Sequence, residues 1–217
     1  MTDHGGGIPS ALTAFQLQVA RLFFSLPGSA GFLLAGGAAL AAQHLTERPT
    51  QDLDFFTHRG GGGVPAARDA LEAAAAQRGW VVRRVRDTET FCRLLLSGPE
   101  ELLVDLALDS PPISPEATSA AGPTFSLEEL AGRKLVALYD RAEARDFADV
   151  CELAHRFSKA TLLERAAEID AGFDRSVLAQ MLLTLTRFTD DELPVPAAKG
   201  RELRDFFAEW TRELHAG

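Results

Sequence analysis

The sequence predicts an α+β protein, in which a strand-containing N-terminal half precedes a helical C-terminal half. Short apolar runs bounded by turn residues are confined to the first half of the chain. In the second half apolar residues recur only at helical spacing. The stretch between them, Ser110–Pro123, is rich in Pro, Ser and Ala, which is typical of a linker. We therefore expect an α/β core over 1–110, a linker over 111–125 and a helical lobe over 126–217.

The elements of the N-terminal half follow from the apolar pattern. Residues 1–10 are polar and glycine-rich, and we expect them to be disordered. Helices are predicted at 11–25, 38–44 and 64–78, and strands at 32–35, 53–57, 80–85, 91–96 and 102–108. Four glycines at 60–63 mark a turn after the second strand, and Gly98-Pro99 marks a hairpin turn.

The C-terminal half begins with a capping signal. Ser126 is followed three residues later by Glu129, the spacing of a capping box at the start of a helix. Helical spacing then predicts helices at 127–140, 145–158, 159–170, 175–188 and 201–215.

Composition excludes several classes of protein. The chain has 217 residues, 46% of them hydrophobic, which is enough for a sizeable core. Its net charge of −9 argues against a protein that coats nucleic acid without regard to sequence. The two cysteines have no metal-binding spacing, which favours a reducing compartment. The N-terminus does not have the pattern of a signal peptide, and no apolar run is long enough to span a bilayer. We expect a cytoplasmic protein with no membrane partner.

The strongest chemical signal is an acidic pair in the second strand. Asp52 and Asp54 alternate with apolar residues in the sequence Asp-Leu-Asp-Phe-Phe, so both carboxylates face the same side of the strand. Two carboxylates on one face repel each other unless a cation neutralises them. Their separation suits divalent ions about 3.5–4 Å apart, the geometry of two-metal phosphoryl transfer. We expect Mg²⁺ or Mn²⁺ at this pair.

A third acid lies in the last predicted strand. Asp105 is the lone acid of an apolar run, and a buried carboxylate needs a cation or hydrogen-bond partners. If this strand lies beside the strand of Asp52 and Asp54, three carboxylates converge, and Asp105 is a third metal ligand or a general base. A structural role is an equally strong alternative, in which Asp105 accepts hydrogen bonds from buried backbone groups or pairs with an arginine.

Two further motifs suit a phosphate-bearing substrate. Gly36-Gly37 lies between a strand and a helix, where glycine lets phosphate oxygens approach backbone N–H groups. Lys134, Arg141 and Arg145 are spaced 7 and 4 residues apart and share one face if the helix continues. They would then provide a point charge and two clamps for a triphosphate.

Acids follow these cations at Asp146 and Asp149. They would orient the cations or reach the nucleotide, although Arg145 and Asp149 could also form an ordinary ion pair on a helix surface. A separate basic run, Arg83, Arg84 and Arg86, is a solvated strand edge or, combined with Arg93, a guide for an RNA acceptor.

These motifs, in this order, resemble the AbiEii/AbiGii-type nucleotidyltransferase toxins of the DNA polymerase β-like superfamily. The matching features are Gly-Gly-x-Ala-Leu, Arg-x-Thr-x-Asp-x-Asp, a later strand Asp, and Lys-Leu-x-Ala-x-x-x-Arg-x-x-x-Arg-Asp-x-x-Asp, over roughly 32–153. By position, the residues that match the family's active-site motifs are Gly36, Gly37, Thr50, Asp52, Asp54, Lys134 and Asp146. Arg48 opens the second motif and is assigned with Thr50 to nucleotide binding. Glycine replaces the serine that many nucleotidyltransferases have at the second position of the first motif.

The resemblance implies a nucleotidyltransferase fold with a mixed sheet, a divalent metal, an NTP substrate and a cognate antitoxin. It also implies transfer of a nucleotide to an RNA acceptor, the 3′ end of tRNA, which would block translation. Two alternatives remain open from the sequence. The acceptor could be a small molecule of the aminoglycoside kind or a protein hydroxyl. The acidic charge of the chain suits a cationic aminoglycoside at least as well as RNA. The chain could also be a non-catalytic nucleotide- or partner-binding module.

Overall fold

The computed structural model describes residues 12–216, so the expected disorder of residues 1–10 lies outside the described part. It confirms the α+β class. The strands are β1 (Leu33–Ala35), β2 (Asp52–Thr57), β3 (Val81–Asp87), β4 (Phe91–Ser97), β5 (Glu101–Leu108), β6 (Ala117–Ser119) and β7 (Gly122–Thr124). The helices are α1 (Ala14–Phe24), α2 (Gly36–Ala42), α3 (Val64–Gln77), α4 (Leu127–Arg141), α5 (Ala144–Leu153), α6 (Lys159–Ile169), α7 (Arg175–Leu183) and α8 (Ala197–Ala216). Within this range no helix is long and apolar enough to cross a bilayer.

The strands form one mixed sheet in the order β3-β4-β5-β2-β1-β7-β6. Strand β2 runs parallel to β5 and antiparallel to β1. The expectation that the strand of Asp105 lies beside that of Asp54 is therefore confirmed, and these two residues are direct cross-strand partners. On the far side of β5, Arg93 of β4 is the partner of Asp105.

The segment expected to be a linker is more ordered than its composition indicates. Strands β6 and β7 form a hairpin within it, and β7 pairs with β1 through Leu34 and Thr124. The Thr124 hydroxyl also donates to the carbonyl of Leu34 at 2.9 Å. Strands of three residues, one of them Gly-Pro-Thr, are too short to carry an alternation that a pattern search can detect. The segment thus contains regular structure, and the division into a core, a linker and a helical lobe stays a prediction.

The ends of several helices differ from expectation. Helix α2 begins two residues earlier than predicted, at Gly36. Helix α4 ends at Arg141, one residue beyond the predicted end, and the next residue, Ala142, has a left-handed φ of 46°, so α5 starts as a separate helix. The condition under which Lys134 and Arg145 would share one helical face is therefore not met, because this turn separates the two helices. Helix α7 is shorter than predicted and continues as a 3₁₀ turn.

Strand β2 is held by its apolar face. Leu53 and Phe55 are completely buried, whereas Asp52 and Asp54 on the other face are partly exposed. The ring of Phe55 stacks on Phe23 of α1 with centroids 4.1 Å apart. Burial of each such side chain stabilises the fold by about 1.5–3 kcal/mol. Because side chains alternate on a strand, burying these two fixes the acidic pair on the opposite face.

Candidate active site

A cleft opens between the acidic face of the sheet and helices α4 and α5. Its empty space, counted out into open solvent, is about 730 Å³, and it is lined by residues from both halves of the chain. Among them are ten of the eleven site residues expected from the sequence: Gly36, Gly37, Arg48, Thr50, Asp52, Asp54, Asp105, Lys134, Arg141 and Arg145. Asp146 is the exception and lies behind Arg141.

Asp52 is the first residue of β2, and its side chain has two polar partners. Its Oδ1 accepts a hydrogen bond from the Thr50 hydroxyl at 3.0 Å. Its Oδ2 lies 3.3 Å from Nη1 of Arg145 on α5. Thr50 is itself fixed because Gln16 of α1 donates to its carbonyl at 2.8 Å. The position of Asp52 therefore depends on the helical half as well as on the sheet.

Asp54 differs from Asp52, because among the described residues it has neither a hydrogen bond nor an ion pair. Burial, together with repulsion from Asp52 and Asp105, raises the pKa of Asp54 from 3.8 to about 7, even though Lys134 and Arg145 lower it in part. An anionic Asp54 is thus electrostatically under-compensated at neutral pH. This is the condition that a bound cation would relieve.

Asp105 is tied to Arg93 across the sheet. The guanidinium donates to both carboxylate oxygens, from Nε at 2.8 Å and from Nη2 at 2.6 Å. The side chain of Asp105 is only 7% exposed, so a charge-assisted pair is what its burial requires. Of the two interpretations of Asp105 that the sequence left open, pairing with an arginine is the one observed.

The glycine pair touches the acidic and polar residues of the cleft directly. Gly36 has a φ of +62°, and a Cβ at this position would overlap the Oδ2 of Asp54. A Cβ at Gly37 would lie 2.9 Å from the Thr50 hydroxyl and 3.2 Å from Nη2 of Arg48. Glycine therefore keeps this wall of the cleft open and lets a ligand approach the backbone.

A buried acid holds two of the cations. Asp149 of α5 is 1% exposed and lies 2.8 Å from Nζ of Lys134. It also accepts two hydrogen bonds from Arg48, both at 3.0 Å. Burial opposes ionisation of Asp149, but Lys134 and Arg48 outweigh it, and the pKa of this carboxyl lies below its usual value. Asp149 therefore fixes Lys134 and Arg48 at the edge of the cleft.

Asp146 holds Arg141 in position, as Asp149 holds Lys134 and Arg48. It is completely buried and accepts two hydrogen bonds from the Arg141 guanidinium, both at 2.9 Å. The hydrogen bonds to Asp146 raise the pKa of Arg141. The Asp146 carboxylate also accepts from the backbone N–H of Glu143, which caps α5. In this geometry Asp146 orients a cation and does not itself face the cleft.

The residues present fit a divalent cation with two protein carboxylates. Within residues 12–216 no three acidic, His or Cys groups form a metal site. Asp52 and Asp54 nevertheless offer the oxygen ligands that Mg²⁺ and Mn²⁺ prefer. Asp54 lacks any other partner in the described structure, whereas Arg93 occupies both oxygens of Asp105. Of the three carboxylates that the sequence analysis expected to converge, Asp105 is paired with Arg93 and Asp52 contacts Thr50 and Arg145, so Asp54 is the one without a partner among the described residues.

Two arginines that line the cleft were not among the site residues expected from the sequence. Arg93 is one of several arginines near β3 and β4, and only the strand register reveals it as the partner of Asp105. Arg133 lines the cleft, donates to Glu129 at 2.9 Å, and lies 3.9 Å above the ring of Phe125. The i,i+4 spacing of Glu129 and Arg133 was a detectable signal for that pair.

Comparisons with known proteins agree with this geometry. The family described as nucleotidyl transferase AbiEii toxin, type IV toxin–antitoxin system, matches residues 21–215. No curated protein matches the chain.

Solved structures share the fold at low sequence identity. MenT4, a nucleotidyltransferase toxin from Mycobacterium tuberculosis H37Rv, is 16% identical with a TM-score of 0.60, covering 93% of this chain and 89% of its own. A putative nucleotidyltransferase from Helicobacter pylori is 16% identical with a TM-score of 0.54, covering 93% and 94%. JHP933 from Helicobacter pylori is 18% identical with a TM-score of 0.52, covering 94% and 95%. The family match spans nearly the whole chain, and the protein therefore belongs to the AbiEii nucleotidyltransferase toxin family of type IV toxin–antitoxin systems.

Proposed function

We propose that this enzyme transfers a nucleoside monophosphate from an NTP to a hydroxyl of RNA, at the 3′ end of tRNA. The observation that carries the proposal is the lining of the cleft, which brings Asp52 and Asp54 together with Lys134, Arg141 and Arg145. A carboxylate pair facing a cationic wall is what a metal–triphosphate complex requires, because such a complex presents cations and anions together.

The cationic wall would hold the triphosphate. Lys134 supplies a point charge whose position Asp149 fixes. Arg141, oriented by Asp146, and Arg145 present planar guanidinium groups that suit phosphate oxygens. Gly36 and Gly37 leave room for phosphates to approach the backbone. These groups also stabilise the charge that develops on the leaving pyrophosphate.

Asp52 and Asp54 would hold Mg²⁺ or Mn²⁺, which when bound neutralises the phosphates and lowers the pKa of the acceptor hydroxyl. The hydroxyl oxygen forms a bond to the α-phosphorus as the bond to pyrophosphate breaks. The residues of the cleft contribute mainly by positioning and by electrostatic stabilisation, as is usual for phosphoryl transfer. Thr50 and Arg145 keep Asp52 in place for this role.

The biological consequence follows from the family. Addition of nucleotides to a tRNA 3′ end removes the terminus that must accept an amino acid, so translation would stop. We propose that a cognate antitoxin is the partner that restrains this activity. We also propose that the enzyme is located in the cytoplasm, where tRNA acts.

The decisive experiment incubates the purified protein with Mg²⁺, total tRNA and each labelled NTP in turn. We expect label in RNA with at least one NTP. Asp52→Asn and Asp54→Asn should reduce incorporation by at least 100-fold, because each removes a proposed metal ligand. Asp140→Asn on α4 is the matched control, since Asp140 is exposed and outside the cleft, and should retain full activity.

Two results would contradict the proposal. Full incorporation by the Asp54→Asn variant would exclude the assigned metal ligands. Absence of label in RNA with all four NTPs would exclude the RNA acceptor, and label in a small molecule or in protein under the same conditions would identify the alternative acceptor class.

A further inference from the structure

The sheet face that carries the acidic pair extends beyond the cleft as an open, basic surface. Cross-strand pairing places Asp54, Asp105, Arg93 and Arg86 in one row across β2, β5, β4 and β3. With strands about 4.8 Å apart, this row spans roughly 14 Å from the acidic pair to the sheet edge. Arg93 belongs to both regions, because it also lines the cleft.

Arg83 continues the basic surface along the edge strand. Arg83 is the cross-strand partner of Leu95 on β4. Because Leu95 and Arg93 are two residues apart on that strand, Arg83 lies on the same face of the sheet as Arg93. Arg84 faces the other way, where it pairs with Glu72 of α3 at 2.7 Å. The basic run of the sequence is therefore divided by the sheet. Its outer two members lie on the active-site face, and its middle member belongs to the α3 side.

These arginines are unlike the other cations near the cleft. Arg83 and Arg86 are exposed and have no ion pair among the described residues. Yet the chain as a whole carries a net charge of −9. Two unpaired arginines beside each other on a strand edge of an acidic protein form a local site for a polyanion.

An aromatic ring lies between the arginines. The guanidinium carbons of Arg86 and Arg93 lie 5.2 and 5.9 Å from the ring centroid of Phe91. Phe91 is partly exposed on the same face. Aromatic rings and guanidinium planes together form the platforms on which unpaired bases stack, while the guanidinium charges bind the phosphates between them.

We propose that this face, made of Arg83, Arg86, Phe91 and Arg93, binds the single-stranded 3′ segment of the RNA acceptor and directs its terminal hydroxyl toward Asp54. The inference rests on the proposed function and names where its acceptor binds. Charge complementarity selects RNA over a protein partner, and the row of paired residues connects the surface with the catalytic cleft without a gap.

The test measures RNA and nucleotide binding separately. Fluorescence anisotropy reports binding of a labelled 12-nucleotide single-stranded RNA, and calorimetry reports binding of Mg²⁺–NTP. The double variant Arg83→Glu/Arg86→Glu should weaken RNA binding at least tenfold and lower the salt dependence by about one unit per arginine. Its affinity for Mg²⁺–NTP should be unchanged, since neither residue lines the cleft.

The matched control is Arg201→Glu/Arg212→Glu on α8. These arginines are also exposed and without an ion pair in the described structure, and the change in net charge is identical. The control should bind RNA as the native protein does. Phe91→Leu keeps an apolar side chain but removes the ring, and should weaken RNA binding about tenfold. Phe91→Tyr keeps the ring and should retain native RNA affinity, and an unchanged Tm of Phe91→Leu would show that its loss of binding does not come from loss of structure.

Each outcome separates this inference from the proposed function. Equal losses in the β3 and α8 double variants would overturn the inference, because the effect would then be net charge alone. Native binding of Mg²⁺–NTP without any binding of RNA would overturn it while leaving nucleotidyl transfer intact, and would favour a protein partner for this face. RNA binding that depends on Arg83 and Arg86 in a protein that binds no NTP would support the surface and contradict the proposed function.

Discussion

Arg93 and Asp105 face each other across β4 and β5, and the guanidinium donates to both oxygens of the carboxylate. This pair decides how many acids in the cleft are free. Asp105 is the direct cross-strand partner of Asp54, yet it is the neutralised member of the two. Asp54 is left with the unrelieved charge.

A double-mutant cycle measures this pair. Arg93→Gln leaves the buried Asp105 carboxylate without its partner and should lower the free energy of unfolding by about 1–3 kcal/mol. Asp105→Asn in the Arg93→Gln background should recover much of that loss, because no buried charge then remains. Urea unfolding of the four proteins gives the coupling energy. Strictly additive effects would show that the two side chains do not interact in solution.

Asp54 makes the stability of the metal-free protein depend on pH. The pKa of its carboxyl is 3.8 in the unfolded chain and about 7 in the folded protein. Between these values the folded state binds the additional proton, so stability falls as pH rises from about 4 to 7 and the full cost persists above pH 7. Asp54→Asn should therefore raise the Tm by roughly 3–8 °C at pH 8. It should bring no gain at pH 4.

Mg²⁺ provides the complementary measurement. Because a bound cation relieves the same charge, it should raise the Tm of the native protein at pH 8 but not that of Asp54→Asn. Asp140→Asn should respond to Mg²⁺ as the native protein does. A Tm of the native protein that Mg²⁺ leaves unchanged at all concentrations would contradict the assignment of Asp54 as a metal ligand.

Gly36 tests whether open space at the acidic pair matters. Gly36→Ala places a methyl group against Asp54 Oδ2 and adds strain at a φ of +62°. Gly79→Ala is the matched control, since Gly79 has a similar φ of +73° but no atom within 4 Å of an added Cβ. We expect both variants to lose stability by about 1 kcal/mol from backbone strain. Only Gly36→Ala should lose nucleotidyl transfer, and equal activity of the two would refute a role for this wall.

Asp149 should matter for both stability and nucleotide binding. Asp149→Asn leaves Lys134 and Arg48 without their buried counter-charge and should cost about 3 kcal/mol at pH 7. Because the folded pKa of Asp149 lies below the unfolded value of 3.8, its stabilisation is complete above that pH. The difference between native and variant should shrink only in more acidic solution. Urea titrations at pH 7, 5 and 3 measure it.

The catalytic consequence of the same change is distinct. Lys134 without Asp149 loses its fixed position, so the KM for NTP should rise, and Mg²⁺–NTP binding in calorimetry should weaken. Lys134→Met, which keeps the stem but removes the charge, should weaken binding at least as much. If Asp149→Asn bound Mg²⁺–NTP as tightly as the native protein, Asp149 would be a purely structural residue.

The local sequence pattern was sufficient to predict that Asp52 and Asp54 lie on the same face of β2. Leu53 and Phe55 must be buried, and alternation then puts Asp52 and Asp54 together on the other side, whatever the rest of the fold does. Capping at Ser126 likewise marked the start of α4 correctly, because that signal is contained within one helical turn.

Features that depend on pairing between distant segments could not be found in this way. The hairpin β6–β7 has no alternation of its own and is ordered by its contact with β1. The partner of Asp105 is likewise set by the register between β4 and β5, which local spacing does not contain.

The sequence by itself determined which residue types could bind a metal–triphosphate complex and the order in which they occur, since strand alternation and turn chemistry are local. Only the tertiary structure decided how they are partnered. The strand register pairs Asp105 with Arg93 and leaves Asp54 without a partner among the described residues. The packing of the helices against the sheet pairs Asp149 with Lys134 and Arg48. The physical reason is that each buried charge must find a counter-charge, and which one it meets is fixed by contacts between segments far apart in the chain.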